Sequence, residues 1–218
     1  MDTNKTIHPR VVVFGANGGI GKPTVEQALY RGHPVVAIVR NPAVFTLRHP
    51  ALTIRKADVM APETLNGILE KEDVVISAIG KNSTAETTLY SAGDKHILRA
   101  MTQAGTTRLF VISASGLEVN PTHNFLIRWA TTSILQRILK HMYADLLRME
   151  DIVKASAVNW TIMRPPQLTN GALTGKYRSS VGTFVPKGMK IARADVADFM
   201  LRSIHDETIF KDTVELAY

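Results

Sequence analysis

The stretch Arg10-Val11-Val12-Val13-Phe14-Gly15-Ala16-Asn17-Gly18-Gly19-Ile20-Gly21 decides the fold. Arg10 to Phe14 is a short apolar run ending in glycine, the pattern of a strand buried on both faces. A helical pattern follows over Ile20 to Arg31, with Val25, Ala28 and Leu29 at helical spacing. Pro23 falls in the first turn, where no intrahelical N–H bond is lost, and Gly32 stops the helix. Strand, glycine-rich turn and helix in that order read as a dinucleotide-binding turn. Gly15 permits the tight turn, Gly18 and Gly19 let a pyrophosphate approach the backbone, and Gly21 lets helix pack close to strand. With Asn17 and Ile20, they place free N–H groups and a positive dipole end where phosphates bind.

Outward from that turn, strand and helix patterns alternate. Val35 to Val39, Leu52-Thr53-Ile54, Asp73 to Ile76, Arg108 to Ile112 and Asn159 to Met163 read as strands, with a last one near Thr213 to Leu216. Helical patterns cover Pro62 to Leu69, about Ala92 to Ala104, Phe125 to Ala155 (as one or two segments) and Ala194 to Ile204. This alternation predicts an α/β fold, a doubly wound parallel sheet with helices on both faces. No repeat or linker interrupts it, so residues 1–218 read as one Rossmann-type domain.

Composition narrows the function. The chain has no cysteine, which excludes disulfide scaffolds, thiolate metal sites and Cys nucleophiles. His96 and His123 lack the partner spacing of a metal site, so no metal is expected. The formal net charge is +7, but the Lys and Arg residues are scattered without interleaved aromatics, and no nucleic-acid partner is expected. Met1 to Arg10 lacks the apolar core of a secretory signal, and no run nears the roughly 20 apolar residues of a membrane span. A cytoplasmic protein without a membrane partner is the expectation. Asn82-Ser83-Thr84 fits a glycosylation sequon that this location would leave unused.

The cofactor is read from the second strand. An NAD site places an Asp or Glu at its end to take the ribose hydroxyls. Here Val39-Arg40-Asn41 stands there, and Arg40 suits a 2′-phosphate, with Lys22 able to add charge. NADP(H) is therefore expected over NAD(H). Asp58 and Val59 follow the third strand, Asp58 serving either the adenine or the start of the next helix. Ala78, Ile79 and Gly80 end the fourth strand, and Ser113 and Ser115 end the fifth, where ligands of open parallel sheets gather.

These residues together resemble the atypical short-chain dehydrogenase/reductases with an NAD(P)H-binding, NmrA-like fold, most closely the flavin reductase or biliverdin-IXβ reductase branch. The resemblance rests on Gly15 to Gly21, Arg40, Asp58-Val59 and Ser113-Ala114-Ser115. It extends through the segment Glu150 to Tyr177, which contains Ser156 to Pro166 and Leu173 to Tyr177, and through Ala194-Asp195-Val196-Ala197, and it implies that Pro165 borders the cofactor. Two features depart from it. Short-chain dehydrogenases usually carry Tyr-x-x-x-Lys, whereas Tyr143 is followed four residues later by Leu147. Flavin and biliverdin reductases carry His after the paired prolines, where this chain has Gln167.

The resemblance implies an NADPH-dependent oxidoreductase passing hydride to a small, planar, conjugated acceptor such as a flavin, quinone or tetrapyrrole, which can take its proton from water. Ser115 is the candidate catalytic residue, hydrogen-bonding the acceptor or a water; its plain alternative is a strand-end serine bonded to backbone. A second reading is an NmrA-like redox sensor that binds NADP(H) without turnover. The apolar stretch Phe125 to Leu139 reads as a core or dimer-facing helix or as a lid over a pocket, in a monomer or homodimer.

Overall fold

A computed structural model describes residues 8–81 and 83–218. Residues 1–7, most of the segment read for a secretory signal, and Asn82 of the sequon lie outside the described residues. Strand β1 (Val11–Phe14) is buried along its whole length. It pairs in parallel with β2 (Val35–Val39) and β4 (Val74–Ser77), so that Val13 faces Ala37 on one side and Ile76 on the other. Strands β3 (Leu52–Lys56), β5 (Arg108–Ile112), β6 (Asn159–Arg164), β10 (Asp212–Ala217) and β8 (Arg178–Val181) complete an eight-stranded sheet. Its order is β3-β2-β1-β4-β5-β6-β10-β8, and all pairs are parallel except β8 against β10. Order reverses between β1 and β4, which opens a crevice at the carboxyl ends of those strands.

Alternate residues of the strands feed two cores. Val11, Val13, Val35 and Ala37 pack under α1 (Gly21–Tyr30) and α6 (Arg193–Arg202), against Val25, Leu29, Val196 and Met200. Val12, Phe14, Val36 and Ile38 pack on the other face under α2 (Leu89–Ala104) and α5 (Lys140–Lys154), against Ile97, Met101, Met149 and Val153. The two helical layers follow from this period-2 division of doubly apolar strands. Buried Asp145 of α5 accepts from the Tyr90 N–H at 2.9 Å and from the Ser91 hydroxyl, satisfying one of the free N–H groups in the first turn of α2.

Several segments differ from the sequence reading. The Pro62 to Leu69 helix is a single 3₁₀ turn, Pro62–Leu65, because Gly67 adopts φ +68, outside the right-handed region. Phe125 to Ala155 divides into α3 (Phe125–Ala130), a π turn (Thr131–Leu135), α4 (Gln136–Ile138) and α5. The hydroxyls of Thr131 and Thr132 donate to the carbonyls of Ile127 and Arg128, at 2.9 and 3.2 Å, and such back-bonding bends a helix. Strands β7 (Gln167–Thr169) and β9 (Lys190–Ala192), which form a separate parallel pair, and antiparallel β8 had no readable period. The motif at Ala194 to Ala197 is explained by Asp195, which accepts from Thr174 N–H, Gly175 N–H and the Tyr218 hydroxyl at 2.9, 2.8 and 2.6 Å. It ties the Leu173 to Tyr177 loop and the C-terminal residue to α6.

Candidate functional site

A cleft of about 1430 Å³ runs along the carboxyl ends of the strands. Its lining includes Gly15, Asn17, Gly18, Gly19, Ile20, Arg40, Asp58, Val59, Ala78, Ile79, Gly80, Ser113, Ser115 and Pro165, residues scattered over most of the chain. Of the residues singled out from sequence, Gly21 lies outside the lining. A Cβ on Gly21 would collide with the Gly15 carbonyl, so this glycine serves the close packing of α1 on the turn.

The turn itself is backbone-built. Gly15 sits at φ +73, and a Cβ there would come within 2.5 Å of the Ala78 carbonyl oxygen. Gly18 N–H donates to the Gly15 carbonyl at 2.8 Å, closing the loop tightly enough to face the start of α1 into the cleft. Ala78 N–H is held by the Phe14 carbonyl at 3.0 Å, which fixes the end of β4 beside the turn. Arg40 is exposed at the end of β2 and borders the cleft; Lys22 faces solvent on α1 outside the lining. Asp58 lines the cleft, and its Oδ1 accepts from Met60 N–H at 2.9 Å, shaping the turn before Pro62, whereas the residue at the N-cap of the 3₁₀ turn is Ala61.

Beyond Gly80 the two strand-end serines are engaged with buried carboxylates. Ser113 Oγ donates to Glu150 Oε1 at 2.7 Å, and Arg164 grips Glu150 through Nε at 2.8 Å and Nη2 at 2.6 Å. Burial raises the Glu150 carboxyl, but the bonds from Arg164, Ser113 and Lys154 outweigh it and hold the group below its ordinary range. Ser115 Oγ donates to Glu215, whose second oxygen accepts from Val185 N–H. Burial pushes the Glu215 carboxyl up despite those two bonds. The plain serine reading is thereby corrected in one respect, since the Ser115 hydroxyl bonds a buried carboxylate rather than backbone.

Tyr143 also lines the cleft, its ring packed against Gly116. Burial raises its phenol above the ordinary value, opposite to the shift that a Tyr-x-x-x-Lys pair produces. His123 borders the cleft and His96 does not; their ring nitrogens meet the carbonyls of Gly188 and Val59 at 3.2 and 2.7 Å. The helical stretch after Pro121 is not core. Ile127, Leu135 and Leu139 line the cleft, while Phe125, Leu126 and Trp129 are exposed to 77%, 70% and 53%. Arg193, at the first position of α6, also reaches the cleft and stands over Gly19. More than 170 residues separate the two, and no spacing in the sequence announces that contact.

A family profile described as NAD(P)H-binding matches residues 15–207, from the first glycine of the turn to beyond α6. The chain belongs to the NAD(P)H-binding family. The isoflavone reductase homolog A622-like of Nicotiana tabacum is 21% identical over 216 residues, covering 95% of this chain and 67% of that protein. The photosystem II assembly factor Ycf39 of Synechocystis is 35% identical over 109 residues, 48% of this chain and 33% of that one. The chain thus spans about two thirds of the first relative and one third of the second. Among solved structures, ChuY, an anaerobillin reductase from Escherichia coli O157:H7, superposes with a TM-score of 0.74 at 21% identity, covering 95% of this chain and 96% of that one. That likeness establishes the Rossmann-like α/β fold of this NAD(P)H-binding protein. Among the described residues, no helix is long and apolar enough to cross a membrane.

Proposed function

We propose that this protein is an NADPH-dependent reductase of a planar, conjugated acceptor, a flavin, quinone or tetrapyrrole, placed in the flavin reductase or biliverdin-IXβ reductase branch. The observation that carries the reading is one continuous cleft joining the glycine turn and Arg40 to an apolar wall of Ile127, Leu135, Leu139 and Met142. Its volume of about 1430 Å³ exceeds the roughly 300–1,000 Å³ of ordinary small-molecule pockets, leaving room for a dinucleotide and a second ring system. Two relatives named as reductases, or as homologues of one, support the same class.

The nicotinamide, when bound, supplies the hydride. The chain supplies position and surroundings. Backbone N–H groups of Asn17, Gly19, Ile20 and Gly21 at the start of α1 would hold the phosphates, and Arg40 would fork onto the 2′-phosphate. Asp58 and Val59 flank the adenine, while Ala78, Ile79, Gly80, Ser113 and Pro165 border the path toward the reacting end. The apolar wall excludes water from one face of the acceptor. Ser115, its proton held by Glu215, offers lone pairs to a water or an acceptor N–H, so that the final proton comes from solvent. A tyrosinate is not required. Single-domain organisation, a cytoplasmic location and a monomeric or homodimeric state belong to this proposal.

Purified protein is assayed for NADPH oxidation with a panel of flavins, quinones and a tetrapyrrole, with cofactor binding followed by fluorescence. Turnover with at least one of them is expected. Tight NADPH binding without turnover across the panel would replace this reading with a redox sensor.

A further inference from the structure

Arg193 is the first residue of α6, preceded by Ala192 in extended backbone and by strand β9. Its side chain crosses from that end of the molecule to the glycine turn. A Cβ built on Gly19 would lie 2.5 Å from Arg193 Nε and 2.7 Å from its Cδ. The guanidinium stem therefore lies directly on the backbone of Gly19, the surface that the turn presents to phosphates. At Gly19 the neighbour is this arginine side chain, whereas the glycines at 15 and 21 are hemmed in by backbone.

The charge on Arg193 is not consumed locally. Its hydrogen bond among the described residues is from Nη1 to Asn170 Oδ1, at 2.7 Å, and no carboxylate of the described residues pairs with it. A guanidinium carries five N–H donors in a planar fork that matches phosphate oxygens. Compare Arg164, outside the lining of this cleft, which Glu150 and Glu118 pair at 2.6 Å each. Asn170 restrains one edge of the Arg193 fork and leaves the rest facing the turn.

We infer that Arg193 is a second anion-binding group of this cleft, closing over the dinucleotide pyrophosphate from the α6 side, opposite the N–H groups of the glycine turn. Rank in the site then divides between two arginines. Arg40, at the end of β2, reads the 2′-phosphate and decides which dinucleotide binds. Arg193 holds a group common to NADPH and NADH and sets overall affinity. It also couples the C-terminal third of the chain, the part that borders the acceptor end of the cleft, to the presence of the cofactor. The inference rests on the dinucleotide reading of the cleft.

The test separates the two arginines by ligand fragments. Wild type, Arg193→Ala, Arg193→Lys and Arg40→Ala are titrated with NADPH and NADH, and by competition with ADP and with 2′-AMP. ADP carries a pyrophosphate without a 2′-phosphate, and 2′-AMP the reverse. Losing a charge-assisted fork to phosphate weakens binding by about tenfold to a hundredfold. Arg193→Ala is expected to lose that much for NADPH, NADH and ADP alike, and to bind 2′-AMP as wild type does. Arg193→Lys, with charge but no fork, is expected to fall between. Wild-type affinity of Arg193→Ala for ADP would overturn the inference, as would equal losses for ADP and 2′-AMP accompanied by a lowered melting temperature. Failure of the wild type to bind either dinucleotide would instead overturn the reading of the cleft on which it rests.

Discussion

Along the cleft, the half from Gly15 to Gly80 and the half from Ser113 to Glu215 use their polar groups in opposite ways. In the first, N–H groups at the start of α1, the exposed Arg40 and one oxygen of Asp58 face outward with few internal partners. In the second, Ser113 and Arg164 bond Glu150 and Ser115 bonds Glu215, the wall of Ile127, Leu135, Leu139 and Met142 is apolar, and Arg193 is the exception, a charged group lying on the glycine turn. A phosphate-rich ligand needs free donors, and the first half provides them. The planar conjugated ligand we propose needs shape and exclusion of water, which the apolar wall of the second half would supply. The contrast teaches that only the first half carries its chemistry in residue types, which is why the cofactor is easier to read than the acceptor.

The contrast can be broken at four points. Gly21→Ala drives a methyl into the Gly15 carbonyl and opens the turn, so NADPH binding should fall more than about a hundredfold, the scale of several lost hydrogen bonds. Fluorescence titration checks it; near wild-type affinity would mean that the turn does not hold the phosphates. Glu150→Ala strikes the second half, leaving Arg164 with Glu118 alone at 2.6 Å. Removing one partner of a buried pair costs about 3–5 kcal/mol, and urea unfolding should show a loss of that order. Little loss would place the network outside the folding energetics.

Asp94 sharpens the comparison from beneath the floor. On α2, its carboxyl is wholly buried, and burial pushes it up to about 7 from an ordinary 3.8, the Ser77 hydroxyl opposing and Asp145 reinforcing the shift. Between those two values the folded chain keeps a proton that the unfolded chain releases. Stability therefore falls as pH rises through that window and levels off above it. Melting temperatures from pH 5 to 8 should drop by several degrees in the wild type and stay nearly flat in Asp94→Asn. A parallel slope in the variant would remove Asp94 as the cause. Ser115→Ala should have the smallest effect on catalysis, a decrease in kcat below about tenfold, because its proton is already held by Glu215. A loss near a thousandfold would make Ser115 the proton donor.

What the sequence made legible follows the same division. Val11 to Phe14 and Val35 to Val39 are apolar on both faces, so their burial, parallel pairing and the position of the turn between strand and helix were all readable. Arg40 was readable because its place at the end of β2 is set by a short local connection. In the C-terminal third β6, α6 and β10 were readable, but the short strands between them were not. Strands β7, β8 and β9 are only three or four residues long, too short for a period to emerge. Arg193 meets Gly19, Glu215 meets Ser115 and Asp195 meets Tyr218 only through tertiary structure. The breaks in the 125–154 helix depend on threonine back-bonding that helical spacing does not reveal.

The most direct measurement of the central claim is a parallel titration of wild type and Arg40→Ala with NADPH and NADH. The account predicts that wild type prefers NADPH, and that Arg40→Ala loses about tenfold or more for NADPH while NADH affinity barely moves. Equal losses for both cofactors, or a wild type that prefers NADH, would contradict it.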